Sequence, residues 1–266
     1  MSMPTTYTHD LFGKIVYKSL TDEQKQILRR NKDLYRIGQH GPDILFYFMI
    51  SKNPVSQFGV QMHHRDAASF FEKGMEIART TGDEALTAYL LGFGCHYVLD
   101  TTAHPYVNRL ADEGVITHTM LEKEFDRDLM LRTGKDPLRY RPSDCIVPKY
   151  SYAKVIHKAM PEIRTFHIWV SMHMQKFLTN LMICNDGGRR RALIGRILKL
   201  GGQKHSELIE HFMLRDPYPG CDEQLSGLQE RFDEALRMAP DYLKELFELR
   251  YDGKPLSERW HHTYVE

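Results

Sequence analysis

Residues 92–108 read GFGCHYVLDTTAHPYVN. The segment is strongly apolar, yet it carries His96, Asp100 and His104 at intervals of four. Positions four apart on an α-helix differ by about 40° around the axis and about 6 Å along it, so these three polar side chains form one stripe. A carboxylate held among imidazoles in such surroundings is costly unless it is hydrogen-bonded or bound to a cation. Satisfied core histidines and a capping aspartate would account for any single His/Asp pair.

A second pair follows at once, His118 and Glu122, in HTMLEKEFDRDLM. Alone it reads as a solvated helix start, with Thr117 as the cap. Beside the first stripe it supplies a carboxylate and, with His104, two imidazoles for a second metal. Residues of matching type lie upstream: Asp43 in GQHGPD, His63 in MHH and His9 near the start. Asp43 could instead cap a helix after Pro42, and His9 could be a surface residue. His64 reads as the solvated neighbour of His63.

The remaining chain is helical in pattern. Apolar residues recur at helical spacing at Leu11, Ile15 and Val16, at Phe70, Phe71 and Met75, and at Trp169, Val170 and Phe177, and strand alternation is nearly absent. Helices are expected over 9–20, 22–37, 66–80, 83–103, 118–133, 150–159, 161–184, 189–200, 203–213 and 222–250. Gly41-Pro42, Asn53-Pro54 and Gly59 argue for a structured loop over 38–64, and the prolines of 136–150 for a surface crossing. No low-complexity linker or fixed-period repeat divides the chain, so residues 1–266 read as one all-α, multi-helix domain.

Composition narrows the function. The 36 Lys plus Arg and 35 Asp plus Glu leave a formal charge of +1, so no global field attracts nucleic acid or an anionic membrane, and no stable nucleic-acid complex is expected. Arg189, Arg190 and Arg191 point in three directions on a helix and read as its solvated start. The longest apolar run, Ile44 to Ile50, is far short of the roughly 20 residues that cross a bilayer. The first residues show no apolar segment behind a basic one, which sets a cytoplasmic product as the expectation. Cys95, Cys145, Cys184 and Cys221 form no C-x-x-C pair, which gives neither a thiolate zinc site nor a disulfide framework.

The order His9, Gly41-Pro42-Asp43, Met62-His63, His96-x3-Asp100-x3-His104-Pro105 and His118-x3-Glu122 resembles the zinc-dependent phospholipase C family, which shares its fold with single-strand nucleases. The resemblance implies a trinuclear zinc centre. One zinc would be held by His63, His96 and Asp100, with Asp43 as a ligand or base. A second would be held by His104, His118 and Glu122, and a third by His9 and Asp100, with Asp100 as the bridge. Secreted members of that family also use the amino group and carbonyl of an N-terminal tryptophan. Here eight residues without a tryptophan precede His9, so two zinc ions are expected to be tight and the third weaker or differently ligated.

Clustered dications favour phosphoester hydrolysis, because they neutralise transition-state charge and lower the pKa of a bound water. Asp43 would orient or deprotonate that water. The expected partner is a phosphoester, a phospholipid headgroup or a nucleotide, with Phe46, Tyr47 and Phe48 as pocket walls or as plain core. A nuclease or phosphatase of the same fold, or a non-catalytic metal-stabilised helical binding protein, are the competing expectations, and an open coordination position separates the last from an enzyme.

Overall fold

The structure is a computed structural model that describes residues 6–48, 53–182, 189–199 and 210–265. Among these residues it is all-α. The helices are α1 (Thr6–Ser19), α2 (Asp22–Arg30), α3 (Lys32–Gly38), α4 (Pro54–His63), α5 (Ala67–Thr81), α6 (Glu84–Asp112), α7 (His118–Arg132), α8 (Tyr150–Ala159), α9 (Thr165–Met182), α10 (Arg189–Lys199) and α11 (Asp222–Asp252). Short 3₁₀ turns occupy Gly41–Tyr47, Pro142–Cys145 and Glu258–Trp260.

The centre of the fold is α6. Every residue from Leu86 to Asp100 is buried, which is why the segment lacks the polar face of a surface helix. Helices α3 and α11 pack most extensively on it, and α1, α2, α5, α7 and α8 complete the shell. One continuous core runs from Tyr7 to Tyr264. The α3 crossing is a backbone-to-backbone contact: a Cβ on Gly92 would lie 2.1 Å from the Tyr35 carbonyl oxygen, and one on Gly38 would lie 2.2 Å from that of Tyr89. Only glycine permits this approach.

Several helix starts carry the chemistry that their sequence supplies. Thr21 and Gln24 form a capping box on α2, Asp83 accepts from Leu86 N on α6, and Thr117 accepts from Met120 N on α7. Helix α1 is locked to α3 by a two-pronged ion pair between Arg36 and buried Asp10, at 2.7 and 2.8 Å.

Several boundaries differ from the sequence reading. The helix expected over 22–37 breaks at Asn31, whose φ of −122° and ψ of 35° separate α2 from α3. The loop expected over 38–64 contains the 3₁₀ turn and α4. Asn53-Pro54 is a helix start there, because Asn53 Oδ1 accepts from Val55 N and Ser56 N while Pro54 occupies the first turn, where its missing N–H costs nothing. Helix α6 runs past Pro105 to Asp112 instead of stopping at 103; burial of Val107 and Leu110 carries it beyond the proline. Helix α9 begins at Thr165, not 161, since Pro161 lies in the turn after α8. The helix expected over 203–213 falls largely outside the described residues, as does Cys184.

Candidate metal centre

Five elements deliver the eight residues of the sequence reading to one region. Helix α1 brings His9, the 3₁₀ turn Asp43, α4 His63, α6 His96, Asp100 and His104, and α7 His118 and Glu122. They fall into two groups. His9, Asp43, His96 and Asp100 each offer a ligand atom within 4.8 Å of the others, and His104, His118 and Glu122 do the same. That is close to the roughly 4 Å span across one ion with bonds of about 2 Å.

His63 borders the first group: its Nε2 is 3.0 Å from Asp43 Oδ1 and 3.9 Å from Asp100 Oδ2. His64, by contrast, ends α4 and is exposed. His104 links the groups, with Nδ1 3.7 Å from Asp100 Oδ2 and Nε2 3.7 Å from Glu122 Oε1. The two carboxylates therefore face opposite sides of one imidazole. The sequence reading pairs His9 with Asp100; His9 Nε2 lies 3.5 Å from Asp100 Oδ1, and His9 also falls in the first group with Asp43 and His96. The first turn of α1 places it there.

Ring orientation follows a common rule. His63 Nδ1 donates to the Gly59 carbonyl at 2.8 Å, His118 Nδ1 bonds Asn108 Oδ1 at 3.1 Å, and His104 Nδ1 donates to the Tyr264 carbonyl at 3.0 Å. A carbonyl only accepts, so the Nδ1 of His63 and of His104 carries hydrogen, and Nε2 is the nitrogen left to face the centre, as an N–H towards a carboxylate or, once deprotonated, as a lone pair for a metal. In all three residues Nε2 faces a carboxylate of the centre. Histidines that bind metal are oriented by such outer partners.

His96 carries the test of fit. It is fully buried, and neither ring nitrogen has a hydrogen-bond partner among the described residues, although Nε2 is 3.1 Å from Asp100 Oδ2 and Nδ1 is 3.9 Å from Asp43 Oδ2. Two orphaned nitrogens in a dry core are expensive, and a cation between the imidazole and the carboxylates satisfies the one that carries the lone pair. A mixed imidazole and carboxylate donor set suits zinc. Gly41 makes room for this ring: its φ is +47°, and a Cβ there would lie 2.1 Å from His96 Cδ2.

The electrostatics show a site built for positive charge. Burial, together with the neighbouring Asp43 carboxylate, raises Asp100 to about 7. Burial also raises Asp43, against the pull of the His63 hydrogen bond. Burial opposes charge on His104, yet Asp100 and Glu122 override it and raise this imidazole to about 10. Desolvation lowers His9 to about 3 and pulls His96 well below its usual range. Protons thus balance the carboxylates wherever no other cation does.

The two stripes each extend one turn beyond the residues singled out from sequence. On α6 the series 96, 100, 104 continues to Asn108, the partner of His118. On α7 the series 118, 122 continues to Asp126, whose carboxylate accepts from Tyr7 N, Thr8 N and Thr8 Oγ1 and so holds the first turn of α1 beside His9. The four-residue spacing was the available signal for both. Tyr264 has no such signal, being 160 positions from His104. Of the aromatic candidates, Tyr47 and Phe48 are buried core, while Phe46 stacks on His63 with centroids 5.3 Å apart. Arg189 and Arg190 are exposed at the start of α10, where Arg190 donates to the Asn180 carbonyl, and the side chain of Arg191 lies outside the described residues.

Among the described residues, no helix is long and apolar enough to cross a membrane. No curated protein and no solved structure matches the chain. Residues 8–168 do match a protein family, described as zinc dependent phospholipase C, and that span holds all eight residues of the two groups and of His63. With more than half of its length matched and a buried histidine and carboxylate centre inside the matched part, the chain belongs to the zinc-dependent phospholipase C family.

Proposed function

We propose that the protein is a phosphodiesterase of the phospholipase C type, cleaving a phosphodiester with water at a centre of two tight zinc ions and a weaker third. The observation that carries this reading is His104, one imidazole facing the carboxylates of both groups, which makes them a single multinuclear centre. The first zinc would be held by Asp43, His96 and Asp100, with His63 at its edge, the second by His104, His118 and Glu122, and the weaker third by His9 with Asp100 as the bridge. Bound zinc supplies Lewis acidity, neutralising phosphate charge and lowering the pKa of water at the site.

The protein's own groups handle the proton. Asp43 accepts it from the attacking water, and His63, whose Nε2 lies 3.0 Å from Asp43 Oδ1, orients that carboxylate. His63 is held in place by the Gly59 carbonyl on one side and the Phe46 ring on the other. The substrate approaches from the side of His118, whose side chain is 27% exposed while those of His96 and Asp100 are closed off. Among the described residues the second group contains three protein donors, the number typical of a catalytic zinc, whereas a structural zinc is enclosed by four. That favours the enzyme over the metal-stabilised binding protein.

The test is metal analysis of the purified protein followed by a panel of phosphodiester and phosphomonoester substrates, including phospholipids and nucleotides. Hydrolysis of a phosphodiester that stops on chelation and returns with zinc is the expected result. A zinc-loaded protein that turns over only phosphomonoesters would replace the reading by a phosphatase.

A further inference from the structure

We infer that the segment from Gly253 to Val265, which lies outside the family-matched residues, is a working part of the metal centre, with Tyr264 as the positioning residue for His104 and His63. The inference rests on the zinc-centre reading above. Tyr264 makes two main-chain bonds: its carbonyl accepts from His104 Nδ1 at 3.0 Å, and its N–H donates to the His63 carbonyl at 3.0 Å. One residue thereby fixes the imidazole that links the two groups and the end of α4 that carries His63. Because the carbonyl only accepts, it also dictates the His104 tautomer, leaving Nε2 to face Glu122.

The ring of Tyr264 is the anchor for these bonds. It is buried, lies edge-on to Tyr97 with centroids 5.0 Å apart, and sits 5.5 Å from the His63 ring and 5.9 Å from that of His96. Its hydroxyl has no hydrogen-bond partner among the described residues, so the ring's packing and not its polarity does the seating. Upstream, Glu245 of α11 gathers the segment: it accepts from Ser257 N, from Ser257 Oγ, from Trp260 Nε1 at 3.0 Å and from Arg259. Trp260 then stacks on Tyr97 with centroids 5.0 Å apart, and Ala67 N donates to the His262 carbonyl. The segment is therefore attached at both ends, and the carbonyl that meets His104 has little freedom.

Simple core filling would account for the ring contacts but not for a carbonyl aimed at a candidate ligand nitrogen. The two explanations separate in the full chain with Tyr264→Ala and Tyr264→Phe, compared with the parent by zinc titration, the absorption spectrum of the cobalt-loaded protein and long-range ¹⁵N spectra of labelled histidine. Outer partners of metal ligands are worth roughly 10- to 100-fold in affinity. Tyr264→Ala is expected to weaken one zinc by that factor and alter the cobalt spectrum, while Tyr264→Phe matches the parent. The parent's His104 is expected to carry hydrogen on Nδ1, a measurement that does not depend on any variant folding. Parent-like zinc affinity and cobalt spectrum in Tyr264→Ala, or a zinc-loaded parent whose His104 Nδ1 carries no hydrogen, would overturn the inference. A parent that takes up no zinc overturns the zinc-centre reading instead.

Discussion

His63 directs its Nε2 at Asp43 Oδ1 from 3.0 Å while its Nδ1 is committed to the Gly59 carbonyl. The pair gives Asp43 a fixed orientation at a buried position. Asp43→Asn keeps the shape and removes the proton acceptor, so phosphodiester turnover should fall by about 100-fold or more while the fold is retained. Steady-state kinetics beside circular dichroism make the check, and parent-like turnover would take Asp43 out of the proton transfer.

Asp100 touches His9, His63, His96 and His104. Asp100→Ala should lose zinc and stability together, since imidazoles and cations then face one another without the central anion. Zinc stoichiometry and melting temperature measured on the same samples test this. Retention of both would show that Asp100 bridges nothing.

Removal of the metal should itself be visible in stability. An ion that binds only the folded chain adds about 4 kcal/mol at a thousand times its dissociation constant. Chelation is therefore expected to lower the melting temperature by several degrees and zinc to restore it. A chelator-insensitive melt would mean that the centre forms without a cation.

Asp126 supplies a pH dependence. Burial, with a contribution from the Glu122 charge, raises it to about 7 even though Thr8 and Tyr7 donate to it. Its pKa in the unfolded chain is about 3.9. The folded state therefore binds more protons between the two values, and this group's contribution to stability declines as pH rises from about 4 to 7. The slope for one proton is at most about 1.4 kcal/mol per pH unit. Denaturation of the parent and of Asp126→Asn at pH 5, 6, 7 and 8 should show the parent losing more stability on going to alkaline pH. Parallel curves would remove the assignment.

Gly41→Ala should damage the centre without touching a ligand. The added methyl meets the His96 ring at a backbone angle that alanine resists, which costs about 1–3 kcal/mol. Denaturant unfolding should report that loss, and zinc titration should report weaker binding at the His96 group. An unchanged variant would show that the ring has room to move.

The legible part of this protein was what a helix writes locally. A four-residue interval on α6 and α7 announces shared faces, so His96, Asp100, His104, His118 and Glu122 could be read from spacing, and Asn108 and Asp126 extend the same series. Break points were less legible, because Asn53-Pro54 has the composition of a turn whether it ends a helix or begins one, and only its hydrogen bonds decide. The approach of His9 to Asp100 depends on how α1 lies against α6 and α7, which no local spacing records; the family resemblance alone pointed to the pair. The Tyr264 carbonyl was invisible for a further reason: a main-chain acceptor has no residue type.

The contact between Gly38 and Gly92 sets the dimensions of the centre from outside it. Asp43 follows Gly38 by five residues and His96 follows Gly92 by four, so the separation of the two chemical groups is inherited from a junction of bare backbone. A side chain at either glycine would push α3 and α6 apart, and the Asp43 to His96 distance would widen with them. The residues of the centre can thus be mispositioned by a substitution that alters none of them, because their spacing depends on how closely two helices are allowed to touch.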